Sequence, residues 1–192
     1  MTVVLEGMSP AQEQGWLMLL DLFQDRSNDR TLIGGQIMYL LALENGATMA
    51  RTTTDMDVGI NVVESLGVIR ALASQLLQRG FEFGDVSPTG TGGRFRKSAD
   101  PGPGRIMFDV LAPEGLEERT DITTVPPART IQVPGSRQAL DRSQLVNVGV
   151  RESEGVVRRP SLVEALVAKA AATTIAVRSN PERDWVDAAL PL

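Results

Sequence analysis

The chain has 192 residues, a net charge of −5 and 42% hydrophobic residues, which is typical of one domain, or of one domain with a small appendage. It contains no histidine and no cysteine, which excludes Ser-His-Asp and Cys-His catalysis, histidine- or cysteine-ligated zinc, and disulfide bonds. Acid, base and metal chemistry must therefore use Asp and Glu, with Arg and Lys to bind anions.

The first part of the chain predicts helices and strands in alternation. Ser9 and Pro10 are typical of the cap and first residue of a helix, whose apolar half is residues 16–23. A short strand at 31–33 ends at two glycines, and a helix follows at 36–43. The later predicted elements are a strand at 55–62, a helix from Ser65 to 79, strands at 81–86, 94–97 and 105–111, and helices at 161–177 and up to 190.

Residues 120–150 predict only short strands and loops. The order of elements predicts an α+β (α/β) fold, with a mixed β-sheet flanked by helices and a helical C-terminal part. We divide it into a core at 1–130 and C-terminal strands and helices at 131–192. Residues 1–14 lack a signal-peptide pattern, and no apolar run approaches the roughly 18–20 residues of a membrane helix. We expect a cytoplasmic protein without membrane contact.

Two aspartates define the candidate site. Asp55 and Asp57 are two residues apart on a predicted strand, so their side chains share one face. Burying neighbouring carboxylates without a cation is costly, and Mg²⁺ prefers oxygen ligands that it shares with substrate phosphates. The pair predicts a site for Mg²⁺ (or Mn²⁺) in a protein that handles a nucleoside triphosphate. The alternative is a solvent-facing strand of alternating polarity.

Gly34, Gly35 and Asp109 extend this site. The glycines precede a predicted helix, where backbone amides can approach a phosphate; the alternative is a plain tight turn. Asp109 interrupts an apolar strand and needs a partner. Beside the first pair it would ligate the metal and act as general base toward an attacking hydroxyl. The alternative is a salt bridge to an arginine such as Arg94 or Arg105.

Basic residues supply candidate phosphate contacts. Lys169 shares a predicted helical stripe with Leu162 and Leu166, where it either neutralises triphosphate charge or extends from an apolar face to solvent. Arg96 is a further candidate for a triphosphate contact. The negative net charge argues against general polyanion binding, but a local basic cluster is compatible with RNA; its members are Arg94, Arg96, Lys97 and Arg105.

These motifs together resemble the nucleotidyltransferase fold of the DNA polymerase β superfamily. The residues that carry the resemblance are Gly34-Gly35, the run Arg51-x-Thr53-x-Asp55-x-Asp57, and Asp109 within residues 108–111. The spacing is similar to that of the AbiEii-like and MenT-type nucleotidyltransferase toxins. The Lys169 helix and the Arg183-Asp184-x-x-Asp187 segment are similar to their C-terminal pattern. The resemblance covers residues 31–111 and, more loosely, 161–187.

The resemblance implies an enzyme that moves a nucleoside monophosphate from an NTP to an acceptor and releases pyrophosphate. The implied metal ligands are Asp55, Asp57 and Asp109, and the implied nucleotide contacts are Gly34, Gly35, Thr53, Arg96 and Lys169. The implied acceptor is RNA, tRNA in particular, or a protein hydroxyl, and the implied role is that of a toxin with a cognate antitoxin or in phage defence. A small-molecule (antibiotic-type) nucleotidyltransferase and a catalytically silent nucleotide-binding module remain alternatives.

The sequence departs from the family's pattern at two points. Gly35 and Gln36 stand where the superfamily has a small hydroxyl residue after its first glycine, which puts one phosphate contact in doubt. The chain also ends soon after Asp187, where these toxins often continue with more helices. We therefore expect either a reduced C-terminal half of the site or a piece of a longer protein.

Overall fold

The computed structural model describes residues 2–24, 28–47, 54–62 and 67–172. Its helices are α1 (Pro10–Leu22), α2 (Gly35–Glu44), α3 (Val68–Gln78), α4 (Ser136–Asp141) and α5 (Leu162–Ala172). Its strands are β1 (Thr2–Leu5), β2 (Arg30–Ile33), β3 (Asp55–Ile60), β4 (Glu82–Phe83), β5 (Arg94–Ser98), β6 (Arg105–Pro113), β7 (Gln132–Val133), β8 (Gln144–Val150) and β9 (Ser153–Arg159).

The larger sheet has the strand order β2-β3-β6-β5-β4, with β7 paired to β6. It is mixed, because β3 and β6 run parallel while β2, β5 and β4 pair antiparallel to their neighbours. Alternate residues of its central strands point to the core and are fully buried: Met56, Val58, Phe95, Phe108 and Val110. A Cβ on Gly15 of α1 would lie 2.4 Å from Met56 Cε, so α1 packs closely on this face.

The smaller sheet has the order β1-β8-β9 and joins the two ends of the described chain. β1 pairs parallel with β8, and β8 and β9 form an antiparallel hairpin. Val3, Val148 and Val157 bury their side chains in the same hydrophobic core as the larger sheet. A strand from the predicted core thus pairs with one from the predicted C-terminal part, although the division at residue 130 stays a prediction.

The mixed α+β architecture predicted from the sequence is confirmed. The start of α1 is a capping box, in which Gln12 N donates to Ser9 Oγ (3.3 Å) and Ser9 N donates to Gln12 Oε1 (2.9 Å). Residues 120–150 contain β7 and β8, in line with the predicted strands, but they also contain the helix α4, where only strands and loops were predicted. We also did not predict β1, α4 or β9, and β4 is shorter than the strand expected at 81–86.

Among the described residues, no helix combines the length and the apolar character that a membrane span requires.

Candidate functional site

The three predicted carboxylates lie on one face of two neighbouring parallel strands. In the register of β3 and β6, Asp57 is opposite Asp109, and Asp55 is opposite Met107. Paired residues on adjacent strands project to the same side of a sheet. Because Met56 and Phe108 point to the core, the carboxylates occupy the opposite face. All three aspartates are partly exposed.

Arg94 holds Asp109 from the adjacent strand β5. The two residues are opposite each other in the antiparallel register, with Arg94 Nε donating to Asp109 Oδ1 at 2.8 Å and Nη2 to Oδ2 at 2.5 Å. Arg94 Nη2 also lies 3.7 Å from Asp55 Oδ2. The arginine side chain is 49% exposed, whereas the Asp109 side chain is 14% exposed. The alternative named for Asp109, a salt bridge to Arg94, is therefore present.

The surrounding carboxylates fix the charge of Arg94. Its hydrogen bonds to Asp109 raise the pKa of the guanidinium above its ordinary value, against the opposing effect of partial burial. The nearby charges of Asp109, Asp55 and Asp57 raise this pKa further. Arg94 is therefore a permanent cation on the face that carries the aspartates.

Gly34 lies against the carboxylate of Asp57. The residue precedes α2 with a φ of 76°, a conformation that favours glycine. A Cβ at this position would be 1.9 Å from Asp57 Oδ2 and 3.0 Å from Asp57 Cβ. The glycine is thus needed for its backbone angle and also for space. This contact, which we did not predict, places a carboxylate at the start of α2, where the helix dipole favours negative charge.

The carboxylate oxygens of Asp55 and Asp57 are ligands of the kind that Mg²⁺ prefers. Magnesium is commonly bound by one or two carboxylates together with waters and substrate phosphates, and these two residues offer hard oxygens from adjacent positions on one face. Within residues 2–24, 28–47, 54–62 and 67–172, no group of three or more Asp, Glu, His or Cys side chains forms a possible metal centre. The role of Asp109 as a third ligand stays a prediction.

Strand alternation divides the basic cluster between the two faces of the sheet. Arg96 lies opposite Met107 on β6, and Arg105 is two positions before Met107, so both share the face of Asp109. Lys97 projects to the other face, where its Nζ donates to Arg79 O at 2.7 Å and lies 5.8 Å from the centroid of the Phe81 ring. Three arginines therefore remain on the carboxylate face.

The other predicted contacts lie on α5, at the start of α2, or outside the described residues. Lys169 is buried on α5, and α5 packs on α2 and α4. Gly35 is the first residue of α2, directly after Gly34. The remaining residues of the resemblance lie outside the part of the chain that the structure describes; these are Arg51, Thr53, Arg183, Asp184 and Asp187.

The chain was compared with models of known protein families, with curated proteins and with solved structures, and no match was found. The resemblance to nucleotidyltransferases therefore stays a prediction carried by the residues themselves.

Proposed function

We propose that the chain is a Mg²⁺-dependent nucleotidyltransferase with a nucleotidyltransferase-like sheet. The observation that carries this proposal is the common face of Asp55, Asp57 and Asp109, with the glycine start of α2 against Asp57. Carboxylate oxygens suit a cation shared with phosphates, and a helix N-terminus suits the phosphates themselves. The absence of histidine and cysteine is compatible with metal chemistry on carboxylates. It excludes Ser-His-Asp and Cys-His catalysis and histidine- or cysteine-ligated zinc.

The reaction would transfer a nucleoside monophosphate to a hydroxyl group. Asp55 and Asp57 would hold Mg²⁺, which supplies Lewis-acid stabilisation of the charge on the phosphate oxygens. The acceptor oxygen forms a bond to the α-phosphorus as the bond from that phosphorus to the α,β-bridging oxygen breaks. Pyrophosphate leaves with the electron pair of the broken bond, and the acceptor proton passes to a carboxylate of the same face.

We further propose RNA, tRNA in particular, as the acceptor. Arg94, Arg96 and Arg105 support this choice, since they place positive charge on the face where the reaction would occur. A protein hydroxyl is the other acceptor to be tested. A toxin role in the cytoplasm, with a cognate antitoxin, belongs to the same proposal.

The test is incubation with each of the four α-³²P-labelled NTPs, Mg²⁺, and either total RNA or protein. We expect label in the RNA fraction. Asp55→Asn and Asp57→Asn should each lower labelling by more than about 100-fold, because losing even a partner of a metal ligand costs about 10–100-fold. Glu117→Gln is the matched control, since it neutralises an exposed carboxylate that pairs with Arg119.

Each outcome of this assay has a defined meaning. Label in the protein fraction would support nucleotide transfer and would show that the acceptor is a protein hydroxyl and not RNA. In a parallel incubation with an aminoglycoside as the acceptor, label in that molecule and in neither RNA nor protein would establish the small-molecule alternative. Equal labelling by wild type and both aspartate variants, or no transfer to any acceptor by folded wild-type protein, would overturn the proposal.

A further inference from the structure

Arg94 is fixed in place while part of its guanidinium stays available. A guanidinium carries five N–H donors in a planar fork. Nε and Nη2 donate to the two oxygens of Asp109, and Nη1 makes no hydrogen bond with any residue that the structure describes. Half of the side chain is exposed. The bidentate contact sets the plane of the guanidinium, so Nη1 is presented in a defined orientation.

The guanidinium also lies next to the two residues that fit a metal ion. Strand β6 separates β5 from β3, and neighbouring strands are about 4.8 Å apart. Arg94 Nη2 is nevertheless only 3.7 Å from Asp55 Oδ2, so the side chain extends back across β6. A phosphate shared with a cation on Asp55 and Asp57 would therefore lie within reach of Arg94.

The contact with Arg94 affects whether Asp109 can ligate a metal ion. Both of its carboxylate oxygens accept hydrogen bonds from the same arginine. A divalent cation on those oxygens would have to displace two charge-assisted hydrogen bonds, whereas the same guanidinium lies 3.7 Å from Asp55 Oδ2, beyond hydrogen-bond distance. A charge-assisted bidentate pair, in contrast, satisfies Asp109 and orients Arg94.

We propose that Arg94 binds the phosphates of the substrate triphosphate, and that Asp109 anchors Arg94 and does not ligate the metal ion. This inference rests on the proposed function, because it names the residue that recognises the triphosphate at the same site. Asp109 is on this assignment a positioning residue, and the site combines one metal ion on Asp55 and Asp57 with one fixed arginine.

The phosphate contact is tested with inorganic triphosphate and Mn²⁺ by isothermal titration calorimetry. Arg94→Gln should weaken triphosphate binding at least about 10-fold, as expected for the loss of a charge-assisted contact. Arg94→Lys should weaken it by about 5-fold, because an ammonium lacks the planar fork that Asp109 orients. Arg119→Gln removes the same charge from an exposed position and should leave binding within about twofold of wild type. Binding by Arg94→Gln equal to that of wild type would overturn the inference.

The anchor role of Asp109 is tested by Mn²⁺ binding alone, followed by electron paramagnetic resonance. The double variant Arg94→Gln/Asp109→Asn removes the pair without changing net charge. It should bind Mn²⁺ within about threefold of wild type, whereas Asp57→Asn should lose at least about 10-fold. A tenfold loss in the double variant, with an unchanged thermal unfolding midpoint, would show that Asp109 is a metal ligand and would overturn the assignment.

The inference about Arg94 and the proposed function can be overturned independently of each other. Inorganic triphosphate carries no nucleoside, so its binding does not require nucleotide transfer. Active wild-type enzyme whose triphosphate affinity is insensitive to Arg94 would overturn the inference and leave the proposed function standing. Triphosphate binding through Arg94 in a protein that transfers no label would overturn the proposed function and leave the phosphate contact standing.

Discussion

The two sheets each carry an arginine–carboxylate pair, and the two pairs differ in exposure. Arg159 of β9 donates through Nη2 to Glu44 Oε1 and Oε2 at 2.8 and 2.7 Å, with side chains only 13% and 16% exposed. Arg94 contacts Asp109 through two nitrogens, Nε and Nη2, and its own side chain is 49% exposed. The Arg159–Glu44 pair, called the closed pair below, links α2 to the smaller sheet. The Arg94–Asp109 pair, called the open pair, lies beside the carboxylates of Asp55 and Asp57. The same two kinds of group thus form a largely buried pair in one place and a half-exposed pair in the other, which supports the phosphate contact proposed for Arg94.

The largest expected effect is on stability, at the closed pair. Glu44→Gln should lower the free energy of unfolding by about 3 kcal/mol, because it leaves the largely buried charge of Arg159 without its carboxylate. Urea denaturation measures this cost. Mn²⁺ and triphosphate binding should not change. If the Mn²⁺ affinity of Glu44→Gln fell together with its stability, the assignment of different roles to the two pairs would be wrong.

Gly34→Ala should be the next most damaging change. We expect a loss of about 2 kcal/mol, because the new Cβ meets Asp57 and the backbone conformation becomes strained. Mn²⁺ affinity should fall as Asp57 is displaced. Gly46→Ala is the matched control at the other end of α2, since Gly46 has a φ of 69° but a Cβ added there would meet no atom within 4 Å. Equal unfolding midpoints for the two variants would contradict the contact with Asp57.

Breaking the open pair should cost less than breaking the closed one. Asp109→Asn should lower the free energy of unfolding by about 1 kcal/mol, because the half-exposed Arg94 remains solvated. The same urea titrations used for Glu44→Gln provide the comparison. A loss as large as that of Glu44→Gln would show that the Arg94–Asp109 pair is mainly structural.

A third pair, between Arg142 and Glu164, should give the smallest effect. Ser161 Oγ donates to Glu164, and Arg142 Nη1 donates to Glu164 Oε1 at 3.4 Å; the hydrogen bond from Ser161 is the main cause that lowers the pKa of Glu164. Because the folded pKa lies below the unfolded value, the stabilisation is present above the unfolded pKa and is lost as pH falls through the folded one.

The pH dependence of the unfolding midpoint tests this third pair. Wild type should lose more stability than Glu164→Gln as pH falls below the ordinary glutamate pKa of about 4.3. Parallel pH curves for the two proteins would show that Glu164 does not contribute to the acid sensitivity of the fold.

Local signals predicted most of the elements that build the candidate site. Ser9 and Pro10 predict the start of α1 because a cap residue and the first helical residue are adjacent in the sequence. The i, i+2 spacing of Asp55 and Asp57 places them on one face of β3 whatever the rest of the chain does. The glycine before α2 likewise marks a local change of direction.

The contacts that the sequence could not predict depend on the register between paired strands. Arg94, and not Arg105, pairs with Asp109 because β5 and β6 align those two residues. Asp57 meets Gly34 because the antiparallel register of β2 and β3 places Ile33 opposite Asp57. β1 has only four residues, and its partner β8 lies near the other end of the described chain, so no local pattern indicates that they pair.

The parallel pairing of β1 with β8 has a consequence for the order of folding. During synthesis β1 leaves the ribosome before the larger sheet, and its partner strand β8 emerges only after that sheet. Contacts between such distant segments close late, since the entropy of a long loop opposes them. A nascent chain can thus assemble the carboxylate face while β1 is still unpaired. Pulse-labelling hydrogen exchange during refolding should show amides of β3 and β6 protected before those of β1.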